Sequence, residues 1–162
     1  MRWQAHRLRG GKGLSMKHYY GLYRGIVTHN LDPMGLGRIV ATVPDAGGLA
    51  ASSWALPSAP VAGPGMGVFC LPPVGANVWI QFEAGDSARP VWTGGFWTDA
   101  AEVPTLAVTA GARPGGTLAL KSPDGATIVI SDAGIFLENG KGASLSLVGP
   151  AVSVNGGALE VT

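Results

Sequence analysis

The clearest pattern lies in the last third of the chain. Residues 117–162 run as short alternating segments, "TLALK", "ATIVIS", "GIFLEN", "ASLSLV", "AVSVN" and "ALEV", separated by "SPDG", "DAG", "GKG", "GP" and "GG". Alternation of period two is the mark of a β-strand with one face buried. Taking Leu120, Ile128, Leu137, Leu145, Val154 and Val161 as markers, the repeat is seven to nine residues. A single-chain β-solenoid needs several strands per coil, hence a period of about 20 residues or more. Here each repeat supplies one strand and one turn. A lone meander of such strands leaves one apolar face uncovered and two raw edges, an unstable and adhesive object. Three copies wound around one axis remove the difficulty, each chain forming one wall of a triangular prism. The spacing therefore predicts an intertwined homotrimeric β-helix with Leu120, Ile128, Ile130, Leu137, Leu145, Leu147, Val154 and Val161 in the trimer core. The competing arrangement is a monomeric sheet folded back on the rest of the protein.

Residues 19–97 carry a different pattern of longer, less regular strands. "YYGLYRGIVTHN" (19–30) has apolar residues on both faces, Tyr20, Leu22 and Ile26 on one, Tyr19, Tyr23 and Val27 on the other. "LDPMGLG" reads as a turn, with Asp32-Pro33 and glycines able to adopt positive φ. "RIVATVP" (38–44) is a second strand and "SSWALPSAP" (52–60) a third, broken by proline. "GPGMGVFCLPPVG" reads as a loop with an apolar insert. "NVWIQFE" (77–83) places Val78, Ile80 and Phe82 on one side and Trp79 and Gln81 on the other. After the turn "GDSARP", "PVWTGGFW" (90–97) is the fifth strand. No 12-residue window has helical spacing. Five strands with long, irregular connections predict an all-β, five-stranded OB-type Greek-key barrel. Residues 98–116, rich in Ala, Pro, Gly and Thr, read as a connector that Val103, Leu106 and Val108 can pack.

Charge sharpens the picture. Only 13% of the 162 residues are charged, against 46% hydrophobic, whereas a soluble domain usually carries about 25% charged residues. Much surface is therefore expected to be covered by other subunits, although a glycine-rich β-protein is the plainer explanation. The net charge of +1 gives no general attraction to nucleic acid or anionic membrane. The single cysteine, Cys70, excludes an intrachain disulfide. No apolar run approaches the ~20 residues of a membrane-spanning helix. Residues 1–18 hold five Lys/Arg and no acid. They read as an extension preceding a start at Met16, as a solvated arm, or as a basic arm whose Arg2, Arg7 and Arg9 tie the protein to a neighbouring subunit.

Catalytic and metal-binding sets are not legible. His6, His18 and His29 stand apart, outside any H-E-x-x-H, H-x-H or Cys/His cluster, so no metal or cofactor is expected. Cys70, between Phe69 and Leu71, reads as a buried apolar thiol. "GPGMGV" (63–68) resembles a phosphate-binding glycine loop but lacks the Lys-Ser/Thr and the following helix, and reads as a flexible or tightly turned loop. Glu83 and Asp86 flank a turn rather than a cleft. The barrel segment offers aromatics (Tyr19, Tyr20, Tyr23, Trp79, Trp92, Trp97) but only Arg24, Arg38 and Arg89 as bases, too few for nucleic-acid binding through counterion release.

Several linked motifs in residues 19–97 resemble one family. Gly25 to Val27, Asp32-Pro33, Gly35, Gly37-Arg38, Val43-Pro44, Trp54, Pro72 with Val74-Gly75, Val78 to Phe82, Gly85-Asp86 and Pro90-Val91 leading to Gly94 are similar to the OB-fold domain of central spike proteins of contractile tails. These are the phage baseplate spikes and the related VgrG proteins of type VI secretion and extracellular injection systems. The tail resembles their trimeric β-helix, less specifically. The resemblance implies a non-enzymatic homotrimer, assembled in the bacterial cytoplasm into a virion tail baseplate or injection particle. It implies a baseplate hub partner, a PAAR-type tip protein docked on Leu159, Val161 and Thr162, and transient contact with the target cell envelope. The chain departs from larger relatives in lacking a lysozyme-like insert, preceding hub domains and the H-x-H iron motif found at some phage spike tips. Two other readings stay open: an OB-fold nucleic-acid or oligosaccharide-binding module with a trimerising tail, and an enzyme component with scattered catalytic residues.

Overall fold

The computed structural model describes residues 17–46, 49–50, 53–104 and 116–161. These form two units, divided between Phe96 and Trp97. The described residues contain strands and three short 3-10 turns, at Pro44–Ala46, Glu83–Gly85 and Ala100–Glu102, and no α-helix.

In the first unit the strands are β1 (Tyr23–His29), β2 (Val40–Val43), β3 (Leu49–Ala50), β4 (Leu56–Pro57), β5 (Ala62–Gly63), β6 (Met66–Gly67), β7 (Asn77–Phe82) and β8 (Pro90–Gly95). The main sheet runs β3-β2-β1-β7-β8-β4, and β5 and β6 form a separate hairpin. All neighbours in the sheet are antiparallel except β4 and β8, which run parallel with Leu56 opposite Val91. The ring closes where Ile39, just before β2, exchanges two backbone hydrogen bonds with Ala55, at 3.1 and 2.7 Å. The result is the expected five-stranded OB barrel, β2-β1-β7-β8-β4, with β3 and the hairpin as additions.

Alternation decides which side of each strand lines the barrel. Val78, Ile80 and Phe82 of β7 point inward as their spacing predicts, joined by Val27, Ile39, Ala41, Val43, Ala46 and Ala55. Tyr19, Tyr23, Leu71, Ala76 and Trp92 close the core at its margins. Of the two apolar faces of the first strand, the one carrying Tyr19, Tyr23 and Val27 is chosen. Gly25 lies on that same face, where an added Cβ would stand 2.9 Å from the Ile80 side chain. The glycine lets β1 approach β7 closely, and Leu22 and Ile26 are left outside, 57% and 47% exposed.

Two expectations are corrected, and a third, the tightly turned glycine loop, is made specific. The third strand, read as 52–60, is reduced to Leu56–Pro57. Two prolines within "LPSAP" lack the backbone N–H that a longer ladder needs. The "GPGMGV" loop is a tight hairpin, β5 and β6 pairing Ala62 with Gly67 and Gly63 with Met66. Cys70 is exposed, not buried. Its neighbour Phe69 is itself 72% exposed, so an apolar flank here marks surface rather than core.

The second unit is a six-stranded antiparallel meander: β9 (Leu118–Lys121), β10 (Thr127–Ser131), β11 (Gly134–Glu138), β12 (Ser144–Val148), β13 (Ala151–Val154) and β14 (Leu159–Val161), paired in chain order. Two-residue turns join β10 to β11 and β12 to β13, with Ser131 opposite Gly134 and Val148 opposite Ala151. Gly134 has φ +142°, and any Cβ there would collide with the Leu147 carbonyl on β12. The longer turns are pinned by asparagines. Asn139 Oδ1 accepts from the N–H groups of Lys141 and Ala143. Asn155, at φ +49°, accepts from Ser144 N–H through its side chain and returns its own N–H to the Ser144 carbonyl.

Candidate functional site: the apolar face of the tail sheet

Register sorts the tail residues into rows. Leu120, Ile128, Leu137, Leu145, Val154 and Leu159 stand opposite one another across all six strands. Beside them run Leu118, Ile130, Ile135, Leu147 and Val152, and the backbone of Val161 takes the next position in register. Because side chains alternate across a strand, both rows belong to one face. That face has no polar residue across the full width of the sheet. In the single chain it is poorly covered: Leu118 and Leu120 are each 58% exposed, Ile128 41% and Ile130 43%. The opposite face carries Ala119, Val129, Phe136, Ser146 and Ser153 in one row, and only there are two tail residues buried, Thr127 and Val129.

The eight residues expected in the trimer core therefore all fall on one face, Leu120, Ile128, Leu137, Leu145 and Val154 in one row, Ile130, Leu147 and Val161 by register in the other. Leu118, Ile135 and Val152, outside the expected core set, share this face. The signal was present as the second apolar residue of each strand, two positions from the marker. Leu159, assigned to tip docking, continues the first row on the edge strand β14. Thr162, like Arg2, Arg7 and Arg9 of the arm, lies outside the described residues, as do Leu106 and Val108 of the connector.

Elsewhere the polar side chains build turns. Asp32 accepts from the backbone N–H groups of Met34, Leu36 and Arg38, and from Arg38 Nε and Nη2 at 3.0 and 2.6 Å. The Arg38 guanidinium, helped by those N–H groups, holds the Asp32 carboxyl far below the usual carboxylate range, and the Asp32 carboxylate raises Arg38 in turn. This explains the Asp-Pro…Gly-Arg spacing: one carboxylate organises the whole turn between β1 and β2. Arg38 also lies over Trp54, against which His29 packs edge-on at 5.6 Å. Glu83 and Asp86 both face Arg89, at 3.1 and 3.8 Å. Glu102 is lowered by hydrogen bonds from Thr98. Among the described residues no group of three or more His, Cys, Asp or Glu is placed to hold a metal ion.

Comparison with known families bears on the same two units. A family model described as a type VI secretion system/phage-baseplate injector OB domain matches residues 23–97. A second, the phage baseplate V C-terminal trimerisation domain, matches residues 101–160. Together the two matches support a phage-baseplate/type VI spike protein. Among curated proteins none matches. For this baseplate protein the second match explains the bare apolar face: the tail is a trimerisation domain, which supports a homotrimer. Both matched domains are structural rather than catalytic, and the family suggests a component of a virion or injection particle.

Proposed function

We propose that this protein is the central spike of a contractile injection machine, joining the tube and hub to a membrane-piercing tip. The observation that carries the reading is the uninterrupted two-row apolar face of the tail, attached to an injector-type OB barrel. Three such faces turned toward one axis form an intertwined β-prism whose core is Leu and Ile, with the polar and small residues of the opposite face turned outward. Six strands at ~4.8 Å spacing give a stubby needle of about 24 Å. Rigidity is the required property. Backbone hydrogen bonds run along the needle axis, and sheath contraction supplies the force. The OB barrels face the hub, and the β14 end, with Leu159 and Val161, receives a PAAR-type tip protein before transient contact with the target envelope.

Immunogold labelling of particles from the producing bacterium tests this placement. Label should mark the baseplate end of the tail tube. Label along the sheath, or none on purified particles, overturns it.

A further inference from the structure

The barrel unit carries an apolar surface that its own fold does not account for. Phe69, 72% exposed, stands as a ridge between two hollows. On one side lies a cavity of about 620 Å³ bounded by the β5–β6 hairpin, the β4 end and β8, with Cys70 on its wall. On the other lies a smaller hollow, about 320 Å³, under the turn that follows β1. Phe69 and Gly37 border both. The rim of the first hollow presents Met66 and Val68, 63% and 56% exposed, and the turn beside the second presents Leu31 and Met34, 76% and 67% exposed. Among the described residues no charged side chain lines the larger cavity. The one carboxylate at the smaller is Asp32, already committed to Arg38. A largely apolar, open surface, whose polar lining in the larger hollow is limited to Ser58 and Thr93, suits a protein partner better than a small ligand.

A closed three-fold ring restricts what that partner is. Its contacts are heterologous: each copy offers two different patches, one to each neighbour. In such a ring the two patches of a copy point toward neighbours about 60° apart, so they must lie near one another; patches on opposite sides of a barrel build a filament instead. The hairpin rim and the β1–β2 turn fit this requirement. They are different in shape, adjacent, and separated only by Phe69. The trimerising tail tethers three barrels at an effective concentration on the order of millimolar, so even a modest apolar contact forms.

We infer that, in the trimer, the Met66/Val68 rim and Phe69 of one barrel pack against the Leu31/Met34 turn of the next copy, closing a ring of barrels. This rests on the trimeric reading of the tail. It assigns the barrel its own self-contact and explains why a chain with 13% charged residues keeps large apolar side chains outside its core.

Cys70, the only cysteine, reports on the contact directly. The full-length protein is treated with iodoacetamide, alkylation is followed by mass spectrometry, and molecular mass is recorded in parallel. The comparison is the Ile128→Asp chain, whose tail face no longer associates. Alkylation in the native trimer should be at least about tenfold slower than in the dissociated chain, since reaction needs the contact to open. Met34→Lys, at an exposed side chain of the facing turn, should restore fast alkylation while the mass stays trimeric. A trimer in which Cys70 reacts as fast as in the dissociated chain overturns the inference and leaves the patch to a different protein. Protection that survives Met34→Lys overturns the pairing. A monomeric native mass removes the trimeric reading as well, so the two failures are distinguishable.

Discussion

Ile128→Asp separates the prism from the monomeric sheet more sharply than any other single change. In one chain Ile128 sits mid-sheet between Leu120 and Leu137 and is already 41% exposed. A carboxylate there keeps water, and the cost is the side-chain burial already gained, about 1–2 kcal/mol if full burial is worth ~1.5–3 kcal/mol. In the prism the same substitution occurs three times around one axis. Each chain forgoes burial of the remaining 41% of the side chain, about 0.6–1.2 kcal/mol. Each carboxylate also loses water at a cost of several kcal/mol. Three like charges about 8 Å apart repel by roughly 2 kcal/mol per pair at an effective dielectric of ~20. The total exceeds ~10 kcal/mol per trimer. Two association steps of micromolar strength supply ~16 kcal/mol, so the variant should be a monomer at micromolar concentration. Light scattering on the variant gives the mass, with Ser146→Asp, on the opposite face, remaining trimeric. An Ile128→Asp chain that stays trimeric with an unchanged melting temperature refutes the placement of this face at the axis.

Three further outcomes follow from particular contacts. Gly134→Ala forces a Cβ into the Leu147 carbonyl at φ +142° and should destabilise the β11–β12 pairing by ~1–3 kcal/mol, seen as a lower dissociation temperature of the trimer. Ile80→Ala, in the barrel core at 1% exposure, should lower barrel stability by ~2–5 kcal/mol in urea unfolding without dissociating the tail. Asp32 is depressed in the folded state below its ordinary value of 3.8. Its stabilisation is therefore complete above that value and is lost as pH falls toward the folded-state value. Asp32→Asn should lower the urea midpoint at neutral pH and flatten its decline below about pH 4; an unchanged acid limb would show that Arg38 gives the carboxylate no folded-state advantage.

Legibility followed the pleat. Val78, Ile80 and Phe82 were readable as core because their alternating partners are polar or aromatic. The first strand was not, because Tyr20, Leu22 and Ile26 are as apolar as Tyr19, Tyr23 and Val27. What settles that strand is Gly25, whose missing side chain matters only once Ile80 is beside it. In the tail, the markers of the first five repeats trace the first row, the sixth, Val161, falls by register in the second, and strand parity adds Leu118, Ile135 and Val152. At Cys70 local apolarity does not mean burial, because the residues around it face an open hollow. The third strand is shorter than its apolar run because the prolines that truncate it lie inside that run. The organising role of Asp32 was hidden because its acceptors are satisfied by backbone groups whose convergence only the folded turn creates.

The central claim is that three tails share one core, and the absolute mass of the purified full-length protein by light scattering tests it most directly. The account predicts three times the 16.4 kDa chain mass at micromolar concentration. A monodisperse species at the mass of one chain would contradict it.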